Sequence, residues 1–359
     1  MFSGLVQAGT KALGGARFSL VNLFPATIFV LVMATLITSG VYTNPHPSLT
    51  HVFDIFNRNP ALAVATTLGI FLLAVLLRPF QAAVVQILEG YWRRWPLEFA
   101  NELAAERHRR IQHTAEIMLS VGDPNQPASS EFDEVAEYAR KLHTLNRRRR
   151  RAGIILARYP MAVEGSTGLV DRLMPTLLGN VLRDGEDYAG RRYGLDMPVV
   201  YPRIYPSLSP KLDKAISAQL DMLDTTSAYC VIFGLISLFT TPLLRRIDLW
   251  SLVPLATALI SAFCYKGAIA IARGHGRLLA TAIDLHRFDM LEALHYELPR
   301  TPKDELNINK RLSAYLESRD ADAVLRMGKI RYKHPSTVGD GKDESPISIE
   351  VTGDGSSDA

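Results

Sequence analysis

The chain has 359 residues, 40 basic against 36 acidic side chains, a formal net charge of +4, and 48% hydrophobic residues. That apolar share is too low for a wholly embedded transporter and too high for a soluble protein in which 21% of residues are charged. The charge balance also argues against nucleic acid as a partner: between Arg78 and Thr225 there are 21 Lys and Arg against 19 Asp and Glu, whereas nucleic-acid domains carry a broad basic field.

Four apolar stretches, 19–41, 61–77, 227–244 and 250–272, are each long enough to cross a hydrocarbon core of roughly 30 Å as a helix. Lipid cannot satisfy a bare backbone, and no alternating strand pattern suggests a barrel, so the spans are predicted to be helices. The expected class is an all-α membrane protein, with four transmembrane helices as two hairpins flanking a mostly helical cytoplasmic domain. Basic residues beside the spans cluster on one side (Lys11, Arg17, Arg78, Arg93, Arg94, Lys211, Lys214, Arg273, Arg277, Arg287) against Arg58, Arg245 and Arg246 on the other. The positive-inside rule then puts both termini and the central block in the cytoplasm, with the plasma membrane as the location. The Arg245-Arg246 pair is discordant, partly offset by Asp248. In this layout 1–18 is a cytoplasmic N-terminus, 19–80 the first hairpin, 81–225 the cytoplasmic helical domain, 226–272 the second hairpin, 273–332 C-terminal cytoplasmic helices and 333–359 a disordered acidic tail. The first apolar run is too long for a secretion signal and lacks a small-residue exit, so it reads as a retained span.

Along the chain, Pro79 is expected to kink a helix leaving the membrane. Tyr91, Trp92 and Trp95, interleaved with Arg93 and Arg94, have the composition of a headgroup-level anchor. Residues 97–120 read as a helix with Glu98, Glu102, Glu106 and Arg110 four apart. A second amphipathic helix opens at Ser130 and carries Phe132, Val135, Tyr138, Leu142 and Leu145 at helical spacing, with a turn-rich loop at 122–129 between the two. Arg147, Arg148, Arg149, Arg150 and Arg151 follow, and a basic cluster near a bilayer suits anionic lipid, although around a helix some must be paired or solvated.

Proline, glycine and charge are densest in 173–206: Met174-Pro175-Thr176, Leu178-Gly179-Asn180, Arg183, Glu186-Asp187-Tyr188, Arg191-Arg192-Tyr193-Gly194 and Tyr201-Pro202-Arg203. This composition predicts a specific irregular shape, either a ligand cradle or a fold-back onto the membrane. Residues 207–225 are expected to be helical, Gly274-His275-Gly276 to bend the chain, and 278–298 to form an amphipathic helix. Thr301-Pro302 with Asp304 and Glu305 is a start signal for a further short helix.

The stretch 175–205, and the run Asp284-Leu285-His286-Arg287-Phe288-Asp289-Met290-Leu291-Glu292-Ala293-Leu294 followed by Leu298-Pro299-Arg300-Thr301-Pro302, resemble a family of uncharacterised multi-pass membrane proteins seen mainly in actinobacteria. The resemblance runs from Pro160 to the short C-terminal helix. It implies a bacterial membrane protein and no particular activity.

Enzyme signatures are missing: there is no phosphate-gripping glycine loop, no paired-cysteine metal motif, and Gly165-Ser166-Thr167-Gly168 lacks the spacing of a nucleophile elbow. No cofactor and no metal are expected. His108, His113 and Glu116 read as surface residues, and Cys230 and Cys264 as small apolar packing residues rather than a disulfide. Only Lys266 lies within a span, which disfavours ion-coupled transport. Ala258 and Ala262 would permit close packing or self-association.

The candidate binding residues are Arg183, Glu186, Asp187, Arg191, Arg192 and Arg203 of the first motif and Asp284, Arg287 and Asp289 of the second. Asp184, Glu186, Asp187 and Asp196 could hold a cation, but salt bridges with neighbouring arginines are the better reading. The favoured arrangement is an inter-segment lock, with Arg287 pairing to a carboxylate between Asp184 and Asp196. The functional expectation is a membrane-anchored, oligomerising interaction or scaffold protein that meets anionic membrane lipid, copies of itself and a protein partner of unknown identity. One alternative is an oligomeric channel lined by the hairpins. Another is an enzyme acting on lipid at the cytoplasmic leaflet, in a pocket that unites the two motifs.

Overall fold

A computed structural model of the chain describes residues 19–44, 46–48, 57–92, 97–126, 132–160, 163–165, 168–170, 172–318 and 332–333. Arg93, Arg94 and Trp95, the proposed cap at Ser130, the N-terminal 18 residues and the tail beyond Lys333 lie outside the described residues.

The architecture is mainly helical. A π-helical turn, Ser19–Leu23, leads into α1, Phe24–Thr38. Next, α2, Pro60–Leu77, opens on a proline that needs no hydrogen-bond partner at a first helical position. Pro79 lacks an N–H, and the chain tightens there into a 3-10 turn, Arg78–Phe80, before resuming as α3, Gln81–Glu89. Gly90 ends α3 with φ +98°, a left-handed conformation that favours glycine, and a Cβ there would meet Pro175 Cγ at 2.3 Å.

Helices α4, Leu97–Ser120, and α5, Phe132–Leu156, pack antiparallel, as two contacts show. His108 Nδ1 lies 3.0 Å from the Tyr159 hydroxyl at one end, and Arg149 Nη1 donates to Asp123 Oδ1 at 2.6 Å at the other. A two-stranded ribbon follows, with β1, Val163–Gly165, antiparallel to β2, Gly168–Val170, and Glu164 opposite Leu169.

The proline-rich segment is helical, which corrects the expectation of an irregular shape. It forms α6, Leu177–Gly190, a 3-10 turn, Arg191–Tyr193, and α7, Met197–Ile204. Among its prolines, Pro198 stands in the first turn of α7 and Pro202 lies within that helix, while beyond the segment Pro210 opens α8, Pro210–Thr240, which Ser209 caps. The glycines of α6 lie buried on its packing face.

The last long helix, α9, runs Leu252–Ala293 without interruption for 42 residues. Gly274-His275-Gly276 therefore does not bend the chain, and the amphipathic helix expected at 278–298 is the continuation of α9. Helices α8 and α9 run unbroken through positions 225/226 and 272/273. Finally, α10, Pro302–Glu317, starts as its sequence signal predicts, with the Thr301 hydroxyl accepting from the Asp304 N–H.

Helices α8 and α9 are antiparallel neighbours: Gln219 donates to Ile271 O at 3.0 Å, Ser261 to Cys230 O at 2.7 Å, and Ser237 to Pro254 O at 2.9 Å. Cys230 and Cys264 are both free thiols. Helix α1 joins α2 through Ala26 and Ala74, and joins the far end of α8 through Leu36, Val41 and Leu243. Arg246, the discordant cation, pairs with Asp248 and donates to the carbonyls of Val41 and Asn44, each at 2.8 Å, so it ties two connections together.

By length and composition, four helices among the described residues could cross a membrane: Val21–Thr38, Pro60–Glu89, Pro210–Arg245 and Leu249–Ala293. At 1.5 Å per residue, α8 and α9 are about 46 and 63 Å long, so both exceed the hydrocarbon thickness. Their surplus carries the rest of the fold. Leu178 and Val181 of α6 pack on Leu223, Ala268 and Ala272, and α7 and α10 close a second core over Leu279, Ile283, Met290 and Leu291.

Candidate functional site

Helix α6 is anchored at its start by side chains of the Met174-Pro175-Thr176 motif. The Thr176 hydroxyl accepts from the Gly179 N–H at 3.1 Å and donates to Glu89 O at 2.7 Å, pinning α6 to the end of α3. Asn180 is wholly buried and fully used: its Oδ1 accepts from Met174 N–H at 2.7 Å, and its amide donates to Met174 O and Thr176 O at 2.8 and 2.9 Å. From there α6 runs parallel to α9, with Leu178 N–H on the Tyr265 hydroxyl, Gly185 against Gly276, and Arg192 on Asp284.

The two charge-patterned motifs meet at the end of α6. Arg192 and the Tyr193 hydroxyl, the latter at 2.8 Å, both converge on Asp284. Arg287 lies 4.3 Å over the Tyr193 ring, and its Nε donates to Glu305 at 2.6 Å. Its partner is thus on α10, not among Asp184 to Asp196 as the sequence suggested. Glu305 is in the first turn of α10, where the helix dipole favours a carboxylate, and both side chains are largely buried, at 17% and 11% exposure. Two backbone contacts complete the joint: Asn309 donates to Tyr193 O at 2.9 Å, and Asp196 N–H donates to Ser313 Oγ at 3.1 Å.

The other candidate residues are spread out. Asp289 bonds His286 at 2.8 Å, Arg203 donates to Val199 O of its own helix, and Arg191 sits in the 3-10 turn beside Arg192. Asp187 pairs with Arg172, whose carbonyl also accepts from Arg183 Nη1 at 2.8 Å. Among the described residues, the two motifs thus meet at Arg192, Tyr193 and Asp284, while Arg183 and Glu186 lie apart from that joint. Asp184, Glu186, Asp187 and Asp196 do not converge, and among the described residues no group of three or more His, Cys, Asp or Glu could hold a metal ion.

Arg183 and Glu186 instead face a cavity of about 350 Å³ between α3, α6, α8 and α9. Its charged wall is Glu89, Arg183, Glu186, Asp224 and His275, Gln86 and Tyr91 add polar groups, and its apolar wall includes Val85, Leu182, Leu220 and Leu223. Burial, reinforced by the negative charge of Glu89, raises the Glu186 pKa to about 7 against an ordinary 4.5, with Arg172 and Arg183 opposing the shift. Burial and the charge of Asp187 raise Asp184 to about 6, with Arg273 opposing. Sequence reasoning did not find Glu89, Asp224, His275 or Arg172. They come from four separate segments, and only His275 stood in a conspicuous motif, where it read as part of a bend.

Of the lipid-facing candidates, Arg147, Arg148, Arg150 and Arg151 are exposed on α5, and Arg149 is half-buried on Asp123. Trp92 donates its ring N–H to Ile87 O at 2.8 Å.

Fold and sites together define a mainly helical membrane protein whose spans extend into a packed helical head. No protein-family model, curated protein or solved structure matches the chain.

Proposed function

We propose that this is a plasma-membrane interaction or scaffold protein that oligomerises, with two transmembrane hairpins, both termini in the cytoplasm, and a head offered to partners there. The observation that carries this reading is an uncovered apolar surface on α4 and α5, outside the spans. Phe99 and Leu103, one turn apart on α4, are 66% and 58% exposed. Leu103, Ile111, Ala115 and Met118 of α4 with Ile155 of α5 form a groove of about 580 Å³ edged by Arg107 and Arg110. Contiguous apolar surface rimmed by charge is characteristic of association sites.

A channel has less support. The Thr27 and Thr38 hydroxyls, the polar groups α1 would bring to a pore, donate to carbonyls of their own helix. The exposed arginines at 147, 148, 150 and 151 suit an anionic leaflet beside the head.

Size-exclusion chromatography with light scattering on the nanodisc-embedded protein tests the reading. A multimer that Phe99→Asp with Leu103→Asp converts to a monomer is expected. A monomer whose head captures no partner, or a ring enclosing a polar pore, overturns it.

A further inference from the structure

The carboxylate-lined cavity between α3 and α6 does not stand alone. A second, apolar cavity of about 100 Å³ begins beside it, lined by Val21, Pro25, Val84, Val231 and Leu235 among others, and Asp224 lines both. Their order along the helices is consistent. The polar cavity uses the last residues of α3, positions 220–224 of α8 and His275 of α9, all beyond the apolar runs 61–77, 227–244 and 250–272. The apolar cavity uses positions 21–25, 77–84 and 224–235, which run into them. At the junction Gln81 donates to Asn22 at 2.6 Å, satisfying polar groups at the depth where water gives way to hydrocarbon.

Charge fixes what the polar end would accept. Three carboxyl groups, Glu89, Glu186 and Asp224, face one guanidinium, Arg183, and one imidazole, His275. Arg183 acts on the Glu89 carboxylate, and Arg172 and Arg183 on that of Glu186, through charge at a distance rather than through a hydrogen bond, and His275 Nδ1 is buried without a partner. An ammonium group would supply the missing donors and relieve the repulsion between the two glutamates. An anion would meet the same charges as a penalty.

We propose that the two cavities form one site for a long-chain amphiphile with an ammonium head, its charge held between Glu89 and Glu186 and its chain in the crevice beyond Asp224. For a bilayer lipid this means an ethanolamine-type headgroup, whose phosphate Arg183 would meet. A soluble long-chain amine shares the chemistry and is the other source. The site stands apart from the groove on α4 and α5, so it does not depend on the interaction reading.

The test is native mass spectrometry on the full-length protein in mild detergent, titrated with dioleoyl phosphatidylethanolamine or dioleoyl phosphatidylglycerol. The ethanolamine lipid is expected to bind at least about tenfold more tightly, the scale of one charge-assisted hydrogen bond. Glu89→Gln with Glu186→Gln should remove that preference. These substitutions take away repelling carboxylates, so folding should survive, and a thermal melt checks that it does. Glu98→Gln with Glu102→Gln, on α4, should leave the preference intact. Ala228→Leu, which fills the crevice, should weaken the lipid while sparing ethanolammonium itself. Dodecylammonium displacing the lipid at a lower concentration would identify the soluble amine as the occupant. Equal binding of the two lipids, or a preference that survives in the folded double variant, overturns the proposal.

Discussion

Gly185 and Gly276 meet backbone to backbone where α6 lies along α9. A Cβ built on Gly276 would fall 2.7 Å from Gly185 Cα, and one on Gly185 would fall 2.9 Å from Gly276 Cα. Replacing glycine by alanine inside a helix ordinarily stabilises by about 1 kcal/mol. Here the sign should reverse, because both obstructing atoms are backbone and the helices must separate. Gly276→Ala is expected to destabilise by about 1 to 3 kcal/mol, as overpacking does. Gly69→Ala on α2, where a Cβ would touch nothing within 4 Å, should be neutral or stabilising. Thermal unfolding in one detergent compares the two directly.

The Arg287–Glu305 pair is largely buried, so removing one partner strands a charge and should cost about 3 to 5 kcal/mol. Arg287→Glu should lower the melting temperature markedly, and Arg287→Glu with Glu305→Arg should recover part of it. New basic residues placed between Asp184 and Asp196 should not rescue. Rescue from that segment and none from position 305 would show that the pairing described here is wrong.

Glu186 makes stability depend on pH in a definite direction. Its folded-state pKa is raised to about 7 from 4.5, so the folded chain holds the proton more tightly than the unfolded chain. The contribution is complete below pH 4.5 and is lost as pH rises towards 7. Melting temperature should fall across that window, and Glu186→Gln should flatten the fall and raise the value at pH 8. Asp184, raised from 3.8 to about 6, leaves a smaller residual slope in the same direction. A profile unchanged by Glu186→Gln would refute the assignment.

Asn180 offers a test of the α6 anchor. It accepts one backbone hydrogen bond and donates two, all in the interior. Asn180→Ala should cost about 1 to 3 kcal/mol by orphaning those groups. Asn180→Asp should cost more, because a carboxylate would face the Met174 and Thr176 carbonyls with no donor to give. Chemical denaturation of the pair ranks them.

Much of this architecture is legible in the sequence because lipid constrains it so strongly. The apolar runs, the Thr301-Pro302 start and the kink signal at Pro79 are local, and each has its counterpart in the fold, the last as a 3-10 turn. Local signals also misled. Pro198, in the segment read as irregular, stands in the first turn of a helix, and a one-dimensional scan cannot tell a proline that opens a helix from one that ends it. Gly274 and Gly276 read as a bend because their close neighbours are distant in sequence: Gly276 lies against Gly185, some ninety residues away, and Gly274 faces Gln219. That two motifs would meet was inferable from complementary charge. That Arg287 would choose Glu305 was not, since the choice rests on where α10 docks. The cavity was the least visible feature, since Glu89, Glu186, Asp224 and His275 acquire a common environment only through folding.

The uninterrupted course of α9 has a mechanical meaning. For a rod about 63 Å long, a tilt of about 5° about one end moves the other sideways by roughly 5 Å. Nothing in its 42 residues acts as a hinge to absorb that motion. Apolar helices tilt to match the hydrocarbon around them, so a thinner or thicker bilayer would swing the segment that carries Asp284 and Arg287. The lock is thereby placed at the long end of a lever whose short end is set by the membrane.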